Sequence, residues 1–184
     1  RSTLQTVSNL IDQYGPKRVL SLGDTFHDPQ AEKRMSSLDR ERLQALCSEC
    51  EWIFVLGNHD PLPPKIFNGT ATERITIAGL TFVHEPEGEG WHVAGHLHPC
   101  AVAVSEGRRI RRSCFVTDGQ RLILPSMGRF TGGLNVLDPA FRAAFPEKFS
   151  VVIRGRSRLF QVPQSSLKPD LPQRRMPVLR RAIV

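Results

Sequence analysis

The chain opens on a helical rhythm. Leu4, Val7, Leu10 and Ile11 recur at the three- and four-residue spacing that gathers apolar side chains on one face, and Gly15-Pro16 supplies a stop. This spacing predicts a helix over residues 2–14. Residues 18–22 (RVLSL) then read as a short buried strand running into Gly23-Asp24. Residues 31–46 carry Met35, Leu38, Leu43 and Leu46 on one helical side, and residues 52–56 (WIFVL) form a second apolar run ending at Gly57-Asn58. The expected opening is therefore helix, strand, helix, strand.

After Asp60 the pattern changes, because Pro61, Pro63 and Pro64 break any helix. Residues 75–77 and 80–84 flank Ala78-Gly79 as a hairpin, and further strands are expected at 91–95, 101–104, 111–117, 121–124, 149–154 and 158–162. Helices and strands followed by strands predict an α/β front half and a mostly antiparallel back half. From Pro163 onward Pro, Ser, Gln and Arg dominate, so residues 163–184 read as a flexible basic tail on a domain spanning 1–162. No internal repeat is visible.

Composition narrows the class. A length of 184 residues suits one domain, and 40% hydrophobic with 23% charged residues, without an apolar run of 18, excludes a disordered chain and a helical membrane protein. The chain begins at Arg1 with no apolar segment behind a basic start, so no secretory signal is read, and a natural start upstream of Arg1 is expected. Cys47 and Cys50 end a helical pattern while Cys100 and Cys114 lie apart, which suits neither a redox dithiol nor a zinc site. All four read as structural thiols, as in a reducing cytoplasm.

Charge is unevenly placed. Residues 1–150 hold 17 basic and 17 acidic residues, so the whole net charge of +7 sits in the last 34, where Asp170 is the single acid. A second basic cluster, Arg108, Arg109, Arg111 and Arg112, lies inside the neutral part. Such clusters attract phosphate backbones, anionic lipids or acidic proteins through one long-range field, or serve only solubility.

Four segments set ligand-type side chains beside glycines at the ends of strand-like runs: Gly23-Asp24, Gly57-Asn58-His59-Asp60, His84, and Gly95-His96-Leu97-His98. In open α/β sheets such strand ends converge on ligand sites. If the His96-Leu97-His98 run is a strand, its two imidazoles share a face and can serve two neighbouring ions. Metals about 3.5 to 4 Å apart need a bridging oxygen, which Asp24 can supply. A donor set of Asn, Asp and His without thiolate suits Mn²⁺, Fe or Zn²⁺ better than Cu(I), Ca²⁺ or Mg²⁺.

The ordered set G-D, G-N-H-D, H, G-H-x-H, running from Gly23 to His98, resembles the signature of the calcineurin-like metallophosphoesterases. The resemblance implies a four-layer α/β/β/α sandwich holding two divalent ions, most often Mn²⁺. It makes Asp24 the bridging carboxylate, Asn58, His84 and His96 ligands of one ion, and His98 a ligand of the other. It places His59 opposite the scissile phosphate, held by a carboxylate such as Asp60. The family's opening D-x-H, at the end of its first strand, has no counterpart before Gly23. Truncation accounts for this, and without it one metal keeps only Asp24 and His98.

The stretches G-D-T-F-H-D, G-H-L-H-P, C-F-V-T-D-G and T-G-G-L-N-V-L-D-P-A-F further resemble the bacterial ligase-associated DNA damage response endonucleases. That implies a cytoplasmic phosphoesterase acting on DNA, working beside a DNA ligase and a helicase. Hydrolysis of nucleotides or other small phosphoesters is the alternative within enzymes. A noncatalytic partner in a repair complex is the alternative outside them. His27 and Asp28 either line the substrate mouth or cap the following helix, Arg108 to Arg112 are candidate backbone contacts, and His92 reads as structural. Gly132-Gly133 marks a turn or a close approach to phosphate.

Overall fold

A computed structural model describes residues 2–26, 31–59, 68–87, 90–128 and 131–171. In chain order the elements are α1 (Ser2–Tyr14), β1 (Arg18–Leu22), α2 (Ala31–Arg34), α3 (Ser37–Glu49), β2 (Glu51–Val55), β3 (Thr70–Thr72), β4 (Arg74–Ile77) and β5 (Leu80–Val83). Then follow β6 (His92–Ala94), β7 (Pro99–Ser105), β8 (Arg108–Thr117), β9 (Arg121–Ile123), β10 (Leu134–Asn135), α4 (Pro139–Ala144), β11 (Ser150–Arg154) and β12 (Leu159–Val162). The first helix and first strand match the sequence expectation residue for residue.

The helix expected over 31–46 is two helices. Ser36 adopts an extended conformation and its hydroxyl accepts the Asp39 N–H at 3.1 Å, starting α3 afresh. A serine that competes for backbone hydrogen bonds caps a helix better than it continues one. α3 also runs beyond the expected end, so Cys47 lies within it and Cys50 terminates it. Three short elements without a clear period, β3, β10 and α4, were invisible in the pattern.

Two sheets build the body. β1, β2 and β3 form a parallel three-stranded sheet, with Leu20 opposite Ile53 and Ile53 opposite Thr70. α1 and α3 pack on it through Ile11, Leu43, Leu46, Cys47, Trp52 and Phe54. The nine-stranded second sheet runs β10-β7-β8-β9-β6-β5-β4, with β11 and β12 attached through β8. Its core face carries Ala101, Cys114, Val116, Val151 and Ile153, covered by Phe141 and Phe145 of α4 and its C-cap. Helices thus lie outside both sheets, the α/β/β/α order expected. Antiparallel pairs predominate in the second sheet, but β5-β6-β9 is a parallel run, and that run delivers β6 to the site.

All four cysteines are free. Burial pushes Cys47 up to about 11 and Cys114 up to about 12, so neither offers a thiolate near neutral pH. No helix among the described residues is long and apolar enough to cross a membrane.

The body does not end at Val162. Leu167 is buried in the main core, Lys168 N–H donates to Val102 O at 2.9 Å, and Asn135 Nδ2 donates to Lys168 O at 3.1 Å. One leucine anchors the first part of what composition marks as tail. Residues 172–184 fall outside the described set.

Candidate metal centre and its adjoining cleft

The loops after β1, β2, β5 and β6 meet at one point, and each arrives by a local device. After β1 the chain turns through two left-handed residues, Gly23 at φ 82° and Asp24 at φ 49°. Only glycine fits the first, because a Cβ there would lie 2.1 Å from Nδ1 of His84. The turn is bracketed by a 2.7 Å hydrogen bond between the hydroxyls of Ser21 and Thr25. Gly95 serves the same end on β6, since a Cβ there would approach Leu22 O to 2.7 Å.

The Asp24 carboxylate, only 5% exposed, is divided between two tasks. One oxygen accepts the backbone N–H of His59 at 2.9 Å, and the other lies 3.4 Å from His84 Nε2. His84 is buried, and its Nδ1 lies 2.7 Å from Leu22 O. A carbonyl only accepts, so Nδ1 carries a proton, which leaves Nε2 as the ring nitrogen able to present a lone pair to a metal. Around that lone pair stand Asn58 Oδ1 at 2.9 Å, His96 Nδ1 at 3.2 Å and Asp24 Oδ2 at 3.4 Å.

These separations test whether the residues suit a divalent ion. Donors at about 2.1 Å from one ion lie about 3.0 Å apart along an octahedral edge and about 3.4 Å along a tetrahedral one. The observed spread of 2.9 to 3.4 Å fits that range. Donor atoms of Asp24, His84 and His96 all fall within 4.8 Å of one another. Nitrogen and oxygen donors without thiolate suit Mn²⁺, Fe or Zn²⁺. The residues present fit the metal.

The H-x-H pair reaches the site differently from the expectation. β6 ends at Ala94, and His96 and His98 lie in a bend at φ 41° and 45°, so they are not alternate residues on a strand face. Two left-handed residues fold the chain back on itself and send the imidazoles to different surroundings. His96 joins Asp24 and His84, with Nε2 3.8 Å from Glu85 Oε1. His98 instead lines a cleft of about 400 Å³ beside the centre, together with Thr6, Arg111, Ser126, Thr131 and Arg154. Gly133 closes on this bend, for its Cβ would meet His98 O at 2.6 Å, so close backbone packing is its reason.

His59 and Asn58 stand exposed at the rim. Asp60, His27 and Asp28 fall outside the described residues. The arginine cluster lies on β8, where alternation divides it. Arg109 donates to Pro169 O, and Arg111 donates to Gly133 O and pairs with Asp170 at 2.9 Å. Burial opposes the charge on Arg111, but its hydrogen bond to Asp170 more than offsets this and raises its pKa. Arg112 faces the other way, toward the β11-β12 hairpin, and Arg108 begins the strand in solvent.

Sequence reasoning missed Leu22 O, Glu85 and the face of α1 that brings Thr3 and Thr6 into the cleft. Only Glu85, following His84 directly, carried a signal that could have been read.

No family profile and no curated protein sequence matches the chain. Among solved structures, the crystal structure of nuclease MPE from Pseudomonas putida aligns with a TM-score of 0.68 at 26% identity, covering 88% of this chain and 78% of that one. A Vps29 double mutant from Entamoeba histolytica aligns over 89% and 86% at 16% identity, but its TM-score of 0.35 is too low to argue from.

Proposed function

We propose that the chain is a calcineurin-like metallophosphoesterase that hydrolyses phosphodiester bonds in DNA, a reading supported by its likeness to the P. putida nuclease structure. The observation that carries this reading is the convergence of Asp24, Asn58, His84 and His96 beside a cleft lined by Arg111 and Arg154. A metal-type donor set next to arginines, Arg111 paired with Asp170 and Arg154 without a paired carboxylate among the described residues, suits a substrate of linked phosphates. The similar P. putida structure is titled a nuclease.

Asp24, Asn58, His84 and His96 would hold one ion, and Asp24 with His98 would serve a second, Mn²⁺ being the proposed metal. Such ions supply Lewis-acid polarisation of the phosphoryl group and a nucleophile at neutral pH. The chain's own residues do the rest. Leu22 O fixes the His84 tautomer, and the Asp24 carboxylate holds the His59 backbone in place. His59, exposed at the rim, would give a proton to the leaving oxygen, with Asp60 orienting it. Arg111 would hold a non-bridging phosphoryl oxygen, exchanging Asp170 for it. A DNA ligase and a helicase in the cytoplasm are the proposed working partners.

The test compares bis-p-nitrophenyl phosphate, DNA and nucleotides at equal Mn²⁺. DNA should be the preferred substrate. His59→Ala should lower kcat by roughly 10²- to 10⁴-fold with metal content retained. Loss of metal in that variant, seen by elemental analysis, would move His59 into the ligand set.

A further inference from the structure

The β11-β12 hairpin turns through Arg154-Gly155-Arg156-Ser157-Arg158, closed by Gly155 N–H to Arg158 O at 3.0 Å. With Arg112 and Ser113 of β8 it walls an open cleft of about 570 Å³. Four of the eight lining residues are arginines and none is acidic. Among the described residues no carboxylate pairs with Arg112, Arg154, Arg156 or Arg158, whereas Arg111 is paired with Asp170. Four arginines lining one cleft without counter-charge give it a positive potential that a polyanion would meet.

Two further observations give the cleft a direction and a chemistry. Ser113 and Arg154 line both this cleft and the one containing His98, so the two are continuous. Arg154 stands one step beyond the Ile153–Cys114 pair, opposite Ser113, on the sheet face that also carries Arg111. Arg158 lies over the Phe160 ring at 4.8 Å, and that ring is 42% exposed. Gly155 makes room for the ring, since a Cβ there would sit 2.5 Å from it. Phe160 does not line the cleft, but Arg158, which covers its ring, does, so an exposed aromatic stands at the edge of a basic groove, an arrangement suited to tracking a backbone and stacking a base.

We propose that the hairpin is a second nucleic-acid-binding site, holding phosphates of the same strand several nucleotides from the bond cleaved at the metal centre. The proposal rests on the phosphodiesterase reading and adds to it a substrate requirement. The strand must be long enough to reach from His98 past Arg154 to Arg156 and Arg158. Single-stranded oligonucleotides should therefore bind more tightly with length up to that span, and a dinucleotide should not register the hairpin.

Fluorescence anisotropy with the full chain decides it, using single-stranded DNA of 2 to 16 nucleotides across a salt series. The double variant Arg156→Ala/Arg158→Ala should bind the longest strand at least tenfold more weakly. Its log-log salt slope should be shallower by about 1.4, or 0.7 for each lost phosphate contact. Arg42→Ala, an exposed arginine on α3, should change neither. An unchanged slope in a variant that still cleaves DNA would overturn the hairpin site and leave the phosphodiesterase reading standing. A reduced slope in a protein that cleaves no diester would do the reverse. Equal loss of affinity for poly-glutamate of matched charge would overturn the nucleic-acid assignment.

Discussion

The two ends of the candidate site are built on different principles. At the Asp24 end four loops bring donors within 3.4 Å of one His84 nitrogen, and two of these side chains, Asp24 and His84, are buried and tied to backbone. At the His98 end the one family ligand is half-buried and faces hydroxyls and arginines from α1, β8 and β11. The first end is preorganised, because its desolvated donors gain most from an ion already in place. The second is an open wall, suited to substrate entering from solvent. The candidate metal centre and the proposed substrate wall are thus separated in space.

The largest effects should break this contrast if it is wrong. Asp24→Ala should abolish tight Mn²⁺ binding and lower kcat/KM by more than about 100-fold, beyond what loss of an outer-shell partner causes. His98→Ala should lower activity while keeping one tight ion. Isothermal titration of the unmodified chain should show about one tight Mn²⁺. Two equally tight ions would mean that residues outside the present assignment complete the His98 end.

A smaller effect sharpens how the Asp24 end is assembled. Gly23 and Gly79 have nearly the same φ, 82° and 80°, but an added Cβ meets the His84 ring at the first and nothing within 4 Å at the second. Gly79→Ala should cost only the left-handed strain, about 1 to 2 kcal/mol. Gly23→Ala should cost roughly 2 to 5 kcal/mol, strain plus overpacking, and impair metal binding as well. Denaturant melts of both variants measure the difference.

The smallest effect tests whether the two ends fail together. His92 opens β6, the strand that leads to both His96 and His98, and its Nε2 is buried without a hydrogen-bond partner among the described residues. Burial holds its pKa below the ordinary histidine value, with the Gly90 carbonyl partly opposing. The unfolded chain therefore binds a proton first as pH falls. Stability should be full above about pH 6.5 and decline below it. His92→Gln should flatten that acid limb in thermal melts taken without metal.

The order of candidate donors was legible without coordinates, because three of the four segments pair a glycine with a donor at a strand end and His84 closes the fourth apolar run. α1, β1 and the β4-β5 hairpin were equally plain, since their apolar periods are regular. The 31–46 segment was not, for its periodicity runs through Ser36 and only the hydroxyl cap at Asp39 shows the break. Nor was the anchoring of residues 163–171, where Leu167 alone among polar neighbours decides the matter.

Sequence by itself determined the donor types, their order and the surplus of arginine toward the C-terminus, because these are properties of residue identity and spacing. Tertiary structure decided which donors meet. His96 and His98 are two residues apart, yet left-handed turns at both send one to the metal donors and the other to the cleft. Structure likewise pairs Arg111 with Asp170 and ties Arg109 to the Pro169 carbonyl of the docked segment, while Arg112 lines a cleft with Arg154, Arg156 and Arg158. Strand alternation decides on which face a charge emerges, and the partner across that face, distant in the chain, decides whether it is answered.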